Sequence, residues 1–274
     1  MPLSRLGVCS WSLRPETPDD LVREIHGTGL TAVQLALTPL VSDRDLWGRA
    51  IELLREHDIE LLSGMLEPEG EDYSTIETIK ATGGIRPDVH WPANEAMARE
   101  AAEVARIAGM DILTLHAGFL PHDVDDGERA TMVGRLRTLA EICSAEGVRL
   151  GLETGQEDAD TLLAVLSEIN HANLGVNFDP ANMVLYGTGD PIEAFEKLAP
   201  HTVQVHIKDA LPPRASGGWG TEVAVGAGVV DWDRFISIAN GIDRDVDAII
   251  EREAGEDRLG DVRIAVETVR AYLP

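Results

Sequence analysis

RLGLETGQEDADTLLAVLSEINHANLGVNFDP, residues 149–180, holds the unit from which the fold follows. A short apolar run ends at Glu153, a helical pattern (DADTLLAVLSEI) follows, and a second apolar run ends at Asp179. The two runs are nearly continuous in apolar residues rather than alternating. That pattern fits parallel strands covered on both faces, joined by a crossover helix.

The unit repeats on either side. TVQVH ends at His206 and VDAIIE ends at Glu251, so the four strand ends are spaced by 26, 27 and 45 residues. Upstream, similar runs lie at Leu6–Ser10, Ala32–Ala36, Ile59–Met65 and Ile112–His116. Helical patterns separate them. TPDDLVREIHGTG has a capping Thr17, Pro18 in the first turn and a terminal glycine. SDRDLWGRAIELLREH predicts one helix capped at Ser42, with Asp45 three residues on. Two further patterns, after Asn94 and after Glu128, stop at glycine. Eight strands alternating with eight helices predict one α/β domain over residues 1–274, a (β/α)8 TIM barrel. A doubly wound sheet is the alternative that periodicity leaves open. Two connections are long, Glu67 to about His90 and Lys208 to about Val230, and both follow strands. Both are therefore expected over the carboxyl end of the barrel, where such folds keep their active sites.

Composition narrows the function. The chain has 274 residues, 44% of them hydrophobic, and a formal net charge of -25. Such charge repels nucleic acid and anionic membranes, so neither is an expected partner. No apolar run approaches membrane length and the first residues lack a signal-peptide core. Cys9 and Cys143 sit in apolar runs and are expected as buried thiols in a reducing cytoplasm. There is no P-loop, no GxGxxG after the first strand and no G-x-S-x-G elbow.

In a closed barrel, Glu153, Asp179, His206 and Glu251 converge on one face. Three carboxylates and one imidazole suit a divalent ion such as Mn²⁺ or Mg²⁺. Each residue alone has a plainer reading, as a helix cap, a turn residue or a core histidine; their co-occurrence on four successive strand ends is what argues for one site. Glu253 faces the same way as Glu251 in an extended strand, and Glu251, directly after the apolar run, is the chosen ligand. His116 ends the fourth strand and can bind substrate, ligate a second metal or be structural. Gln156 and Asn182 follow their strands by three residues and suit hydroxyl groups. Lys208 shares the face of His206 and either meets an oxyanion or phosphate or pairs with an acid. Trp11 can stack on a sugar face or simply pack.

A metal so held can take a carbonyl and its neighbouring hydroxyl, polarise the carbonyl and acidify the adjacent C–H. Carboxylates on opposite sides can then remove and return a proton through a metal-stabilised enediolate. Epimerisation, aldose–ketose isomerisation and dehydration share that first step.

The motifs LGLETGQ, GVNFDPANMVLYG, VQVHIKDA, GAGVVDW and IIEREAG, in this order, resemble those of the xylose isomerase-like TIM barrels, specifically the sugar phosphate isomerase/epimerase family. The resemblance covers essentially the whole chain. It implies Mn²⁺, Mg²⁺ or Co²⁺ on Glu153, Asp179, His206 and Glu251, with Glu153 and Glu251 as the acid/base pair. It implies a small sugar or keto-sugar substrate and a homo-oligomer, dimer or tetramer. Ketose 3-epimerases of the family carry a histidine three residues after the strand-six aspartate, where this chain has Asn182; DPAN is similar to inosose dehydratases and keto-sugar epimerases. Relatives also carry an arginine after the strand-seven histidine, and Arg214 is the nearest candidate. The expected activity is a metal-dependent sugar or keto-sugar isomerase/epimerase, with a dehydratase or lyase at the same site as the alternative. An endonuclease IV-type nuclease shares the barrel but needs more histidines and a basic face. A binding protein without catalysis has no use for two opposed carboxylates.

Overall fold

The computed structural model describes residues 3–215 and 217–272. Its strands are β1 Leu6–Cys9, β2 Ala32–Ala36, β3 Glu60–Met65, β4 Ile112–Leu115, β5 Arg149–Glu153, β6 Leu174–Phe178, β7 Thr202–Ile207, β8 Asp209–Leu211, β9 Thr221–Val223 and β10 Asp247–Ile250. Eight of them close a parallel barrel in the order β1-β10-β7-β6-β5-β4-β3-β2. It is the (β/α)8 barrel that the apolar runs predict, and the doubly wound sheet is excluded by closure. β8 and β9 form a separate antiparallel pair over the barrel mouth, within the connection that follows His206.

The strands are buried because helices cover their outer faces and side chains fill the interior. All six residues of β7 are buried. Phe178, Phe195 and Phe235 show how strand and helix interlock, with Phe178 and Phe195 stacked at 4.4 Å and Phe195 and Phe235 at 4.7 Å. Such pairs add about 0.5–1.5 kcal/mol beyond the area they bury. The helix Pro18–Thr28 is capped as the sequence predicts: the Thr17 hydroxyl accepts from the Asp20 amide, and Gly29 closes the helix at φ 78°. Cys9 and Cys143 are buried and unpaired.

Two local expectations need correction. SDRDLWGRAIELLREH is not one helix but the segments Arg44–Trp47 and Ala50–Glu56, preceded by Thr38–Ser42. The Ser42 hydroxyl donates back to the Thr38 carbonyl inside that earlier segment, and Asp43 does the capping by accepting from the Leu46 amide. The connection after β3 contains a helix, Ile76–Thr82, held by a capping box between Thr75 and Thr78. Seven residues are too few for helical periodicity to stand out. Among the described residues no helix is long and apolar enough to cross a membrane.

Candidate active site and metal centre

Parallel register brings the strand ends level. Glu153 pairs with Asn177 across β5 and β6, and His206 with Ile249 across β7 and β10. One ligand atom from each of Glu153, Asp179, His206 and Glu251 lies within 4.8 Å of all the others, and all four residues are buried. His206 Nδ1 is the centre of the group, 3.4 Å from Glu153 Oε1, 3.6 Å from Asp179 Oδ2 and 3.3 Å from Glu251 Oε2.

The site's chemistry can be tested on its unsatisfied atoms. A buried polar atom without a partner costs about 1–3 kcal/mol, so folds rarely tolerate one. Asp179 Oδ2 and His206 Nδ1 are both buried and have no hydrogen-bond partner. Both face the same point. Asp179 divides its carboxylate: Oδ1 accepts from the Ala181 and Asn182 amides and starts the helix Pro180–Tyr186, while Oδ2 accepts no hydrogen bond and lies 3.8 Å from Lys208 Nζ. The aspartate is thus both the turn residue of a DP sequence and a candidate ligand. On the other side of the histidine, Nε2 lies 2.8 Å from Gln34 Oε1, an atom that can only accept, so Nε2 carries a proton there. Burial would lower the imidazole's pKa, but Glu153, Cys9 and Glu251 raise it well above its usual value, so a cation would displace the Nδ1 proton on binding. Oxygen- and nitrogen-ligated divalent ions hold neighbouring ligand atoms roughly 3 Å apart, close to the spacings here. The residues fit a divalent cation.

Gln34 was not singled out by its sequence, and neither was Asn177, because an isolated amide in an apolar strand looks like noise. Both prove to be in the buried layer beneath the site, where Gln34 Nε2 also donates to Thr114 Oγ1 at 2.8 Å. Partners of this kind orient a ligating histidine and typically matter 10–100-fold to metal affinity. Gln34→Leu is therefore expected to weaken Mn²⁺ binding by about 10–100-fold with the barrel intact, read by calorimetric titration; unchanged affinity would remove Gln34 from the site.

Electrostatics favour ionisation of the two glutamates and oppose it at Asp179. Burial would raise Glu251, but Lys208 and His206 outweigh it and hold its carboxyl well below the usual range. Burial would likewise raise Glu153, and His116 and His206 reverse the sign. Burial raises Asp179, against the pull of Lys208. Burial would lower Lys208, yet Glu251, Glu253 and Asp179 together keep it firmly charged. Its Nζ donates to Glu251 Oε2 at 2.9 Å, to Glu253 Oε2 at 2.5 Å and to Asn182 Oδ1 at 3.2 Å. In this structure Lys208 is paired with acids, one of the two readings open for it. Glu253 lies outside the four-residue cluster, its side chain 52% exposed.

The other candidates divide. Trp11 Nε1 donates to Glu251 Oε1 at 2.7 Å, Asn182 Nδ2 donates to Glu153 Oε1 at 2.9 Å, and His116 Nε2 lies 3.4 Å from Glu153 Oε1. All three line a cavity of about 480 Å³ above the cluster. Gln156 is buried behind that wall and donates to the Tyr186 hydroxyl at 3.4 Å. Arg214 is exposed, and it is not among the residues that line the cavity. Gly155 explains how Asn182 comes so close: at φ 142° it passes the asparagine where a Cβ would collide with the Asn182 Cβ. Asp209 accounts for GAGVVDW, because its carboxylate accepts from the amides of Gly226, Gly228 and Val230 and from Trp232 Nε1. The loop after β9 is thereby fastened beside His206. The cavity wall also contains Tyr73, Tyr186, Trp219 and Arg258, none of which the sequence had marked.

Known proteins share this architecture. A xylose isomerase domain protein from Planctomyces limnophilus is 30% identical, with 92% of this chain and 91% of that one covered at a TM-score of 0.84. The 3-keto-D-glucoside 4-epimerase YcjR of Escherichia coli shares the fold at 16% identity, covering 97% of this chain and 99% of that one at a TM-score of 0.73. A barrel from Mycobacterium smegmatis determined in complex with magnesium does so at 17% identity, 99% and 96% coverage and a TM-score of 0.74. The E. coli K12 protein YihM is 39% identical over 64 residues, only 23% of this chain and 19% of that protein. The model of the xylose isomerase-like TIM barrel matches residues 22–272. With that match over most of its length, the chain belongs to the xylose isomerase-like TIM barrel family.

Proposed function

We propose that the protein is a divalent-metal-dependent isomerase/epimerase of sugars or keto-sugars, in which Glu153 and Glu251 move the proton. One observation supports this above others: two buried carboxylates flank His206 Nδ1 at 3.4 and 3.3 Å from strands three positions apart on the eight-strand ring. A substrate seated over His206 would meet one carboxylate on each face.

Glu153, Asp179, His206 and Glu251 would hold the ion, Mn²⁺ being the preferred one and Mg²⁺ or Co²⁺ alternatives. When bound, the ion polarises a substrate carbonyl and acidifies the neighbouring C–H. This chain's own residues do the rest. One glutamate accepts the carbon-bound proton as general base, a role worth about 10²–10⁴ in rate. The other delivers a proton to the opposite face of the planar enediolate. Lys208 and Trp11 fix Glu251 by its two oxygens, and Asn182 fixes Glu153 by one. His116 and Asn182 face the cavity and can bind the substrate's hydroxyl oxygens. The fold is shared with a 3-keto-D-glucoside 4-epimerase, so keto-sugars are among the first substrates to try.

The test is proton NMR after incubating the Mn²⁺-loaded protein in D₂O with ketoses, inososes and 3-keto-glycosides, the ion being chelated before spectra are taken. Deuterium at one carbon with a new stereoisomer or aldose is the expected result. Loss of water or of an aglycone would replace the epimerase with a lyase, and no exchange with any substrate would overturn the reading.

A further inference from the structure

The cavity is larger, more aromatic and more acidic than one sugar ring at the cluster requires. Aromatic residues make up 4% of the chain. They supply four of the seventeen residues lining the cavity, namely Trp11, Tyr73, Tyr186 and Trp219. A volume of about 480 Å³ falls within the range, roughly 300–1,000 Å³, of cavities that enclose drug-sized ligands.

The aromatics are arranged in depth. Trp11 touches Glu251 and belongs to the inner floor. Tyr186 stands four residues after Asn182 on the helix Pro180–Tyr186, on the same face and about 5.4 Å further along its axis. Since Asn182 contacts Glu153, Tyr186 lies one helical turn beyond the reacting centre. Trp219 packs against it with ring centroids 4.8 Å apart, and Phe119 supports it from behind at 5.6 Å. The Gly220 amide donates to the Leu185 carbonyl at 2.9 Å, so the loop carrying Trp219 is docked on this helix. Tyr73 adds a further ring to the wall, 46% exposed, with its hydroxyl donating to Glu71 Oε2 at 3.3 Å. Aromatic rings along a cavity wall, two of them braced by ring neighbours, are suited to covering the apolar face of a ring-shaped ligand.

Charge says which ligand. Glu67, Glu71 and Glu253 line the cavity outside the four-residue cluster. Lys208 is consumed by Glu251 and Glu253. Arg258 is the one guanidinium in the wall; its Nη1 donates to the Trp11 carbonyl, and its buried Nε has no hydrogen-bond partner. A phosphate or carboxylate entering here would meet Glu67, Glu71 and the Lys208-paired Glu253, against the Arg258 guanidinium and the His116 imidazole.

We propose that Tyr73, Tyr186 and Trp219 form an outer subsite for a second, uncharged ring, so that the substrate is a neutral glycoside rather than a free or phosphorylated monosaccharide. The proposal rests on the isomerase/epimerase reading for what happens to the inner ring. The outer ring is an aglycone or a second sugar, held by stacking, and no bond to it is made or broken.

Calorimetric titration of the Mg²⁺-loaded protein tests it with non-reacting probes: phenyl β-D-glucopyranoside, methyl β-D-glucopyranoside, glucose and glucose 6-phosphate. The phenyl glycoside is expected to bind about tenfold more tightly than the methyl glycoside, the scale of one well-stacked ring. Trp219→Ala is expected to bring that ratio close to one. Because Trp219 also anchors its loop, Tyr73→Ala provides a second variant at a half-exposed position, and it should lower the same ratio. A phenyl-to-methyl ratio near one in the wild type, including no binding of either probe, overturns the subsite. So does a ratio that survives both substitutions. Glucose 6-phosphate binding more tightly than glucose overturns the requirement for an uncharged ligand. These heats need no turnover, so failure of the subsite leaves the isotope-exchange test standing, and failure of exchange leaves this one standing.

Discussion

Glu251→Gln is expected to abolish interconversion of the two epimers while deuterium exchange persists into only one of them, and Glu153→Gln is expected to leave exchange in the other. The reasoning is geometric. With one base on each face of the enediolate, each epimer loses its proton to a different glutamate. Removing one base stops the overall conversion, by about 10²–10⁴ in rate for a general acid/base, but does not prevent the remaining glutamate from removing and returning the proton of its own epimer. Glutamine preserves shape, and at position 153 its amide oxygen still accepts from Asn182. At position 251 Trp11 and Lys208 approach different carboxylate oxygens, so the single amide oxygen keeps only one of these two bonds. Both glutamates are also candidate metal ligands, so exchange is measured alongside metal content and at saturating Mn²⁺. Loss of exchange from both epimers in one variant, with metal retained, would mean that a single base serves both faces. Full turnover in either variant would remove that glutamate from the chemistry.

The four candidate ligands were legible because each terminates an apolar run and the runs follow one another by roughly a strand–helix unit, 26, 27 and, with a long loop, 45 residues; in a barrel that alternation is enough to define a common face. Asp179 could be read as a turn residue or as a ligand, and its two oxygens serve both ends. Lys208 was legible as facing the site from strand alternation, but its pairing with Glu251 and Glu253 depends on a loop after β10 whose path no local rule sets. The aromatic wall was not legible at all. Tyr73 and Trp219 lie in the two long connections, where position follows from tertiary contacts such as Gly220 to Leu185, and Tyr186 gains meaning only from its helical offset to Asn182. Gln34 and Asn177 were hidden for a different reason: one amide in an apolar strand carries no periodic signal, though inside a closed barrel it must find a partner. The helix broken near Gly48 shows the opposite error. A capping pattern at Ser42 and Asp45 was credible by spacing, but Ser42 is already committed to the preceding turn.

Glu157→Gln is expected to make the folded protein less sensitive to alkaline pH. Glu157 is 5% exposed. Among the described residues none donates a hydrogen bond or forms an ion pair with it. Burial, together with the neighbouring Asp158 charge, pushes its carboxyl from 4.5 up to about 8. The sign follows from which state holds the proton. Between about 4.5 and 8 the folded chain keeps a proton on Glu157 that the unfolded chain has released. Each rise of one pH unit across that window therefore costs the folded state about 1.4 kcal/mol. Stability from this group is complete below pH 4.5, declines through neutrality and is lost above about 8. The full span is close to 5 kcal/mol by linkage, and it is an upper limit because the loop before the helix Ala159–Ile169 can open to admit water at smaller cost. The depressed carboxylates of Glu153 and Glu251 titrate on the acid side and act in the opposite sense, so only the difference between wild type and variant isolates Glu157. Urea unfolding at pH 5, 6, 7 and 8 should give curves that coincide in relative stability near pH 5 and diverge in favour of the glutamine variant by about 3–4 kcal/mol at pH 8. Parallel stability curves for the two proteins across that range would mean that Glu157 is ionised in the folded state and that its burial is offset by solvent.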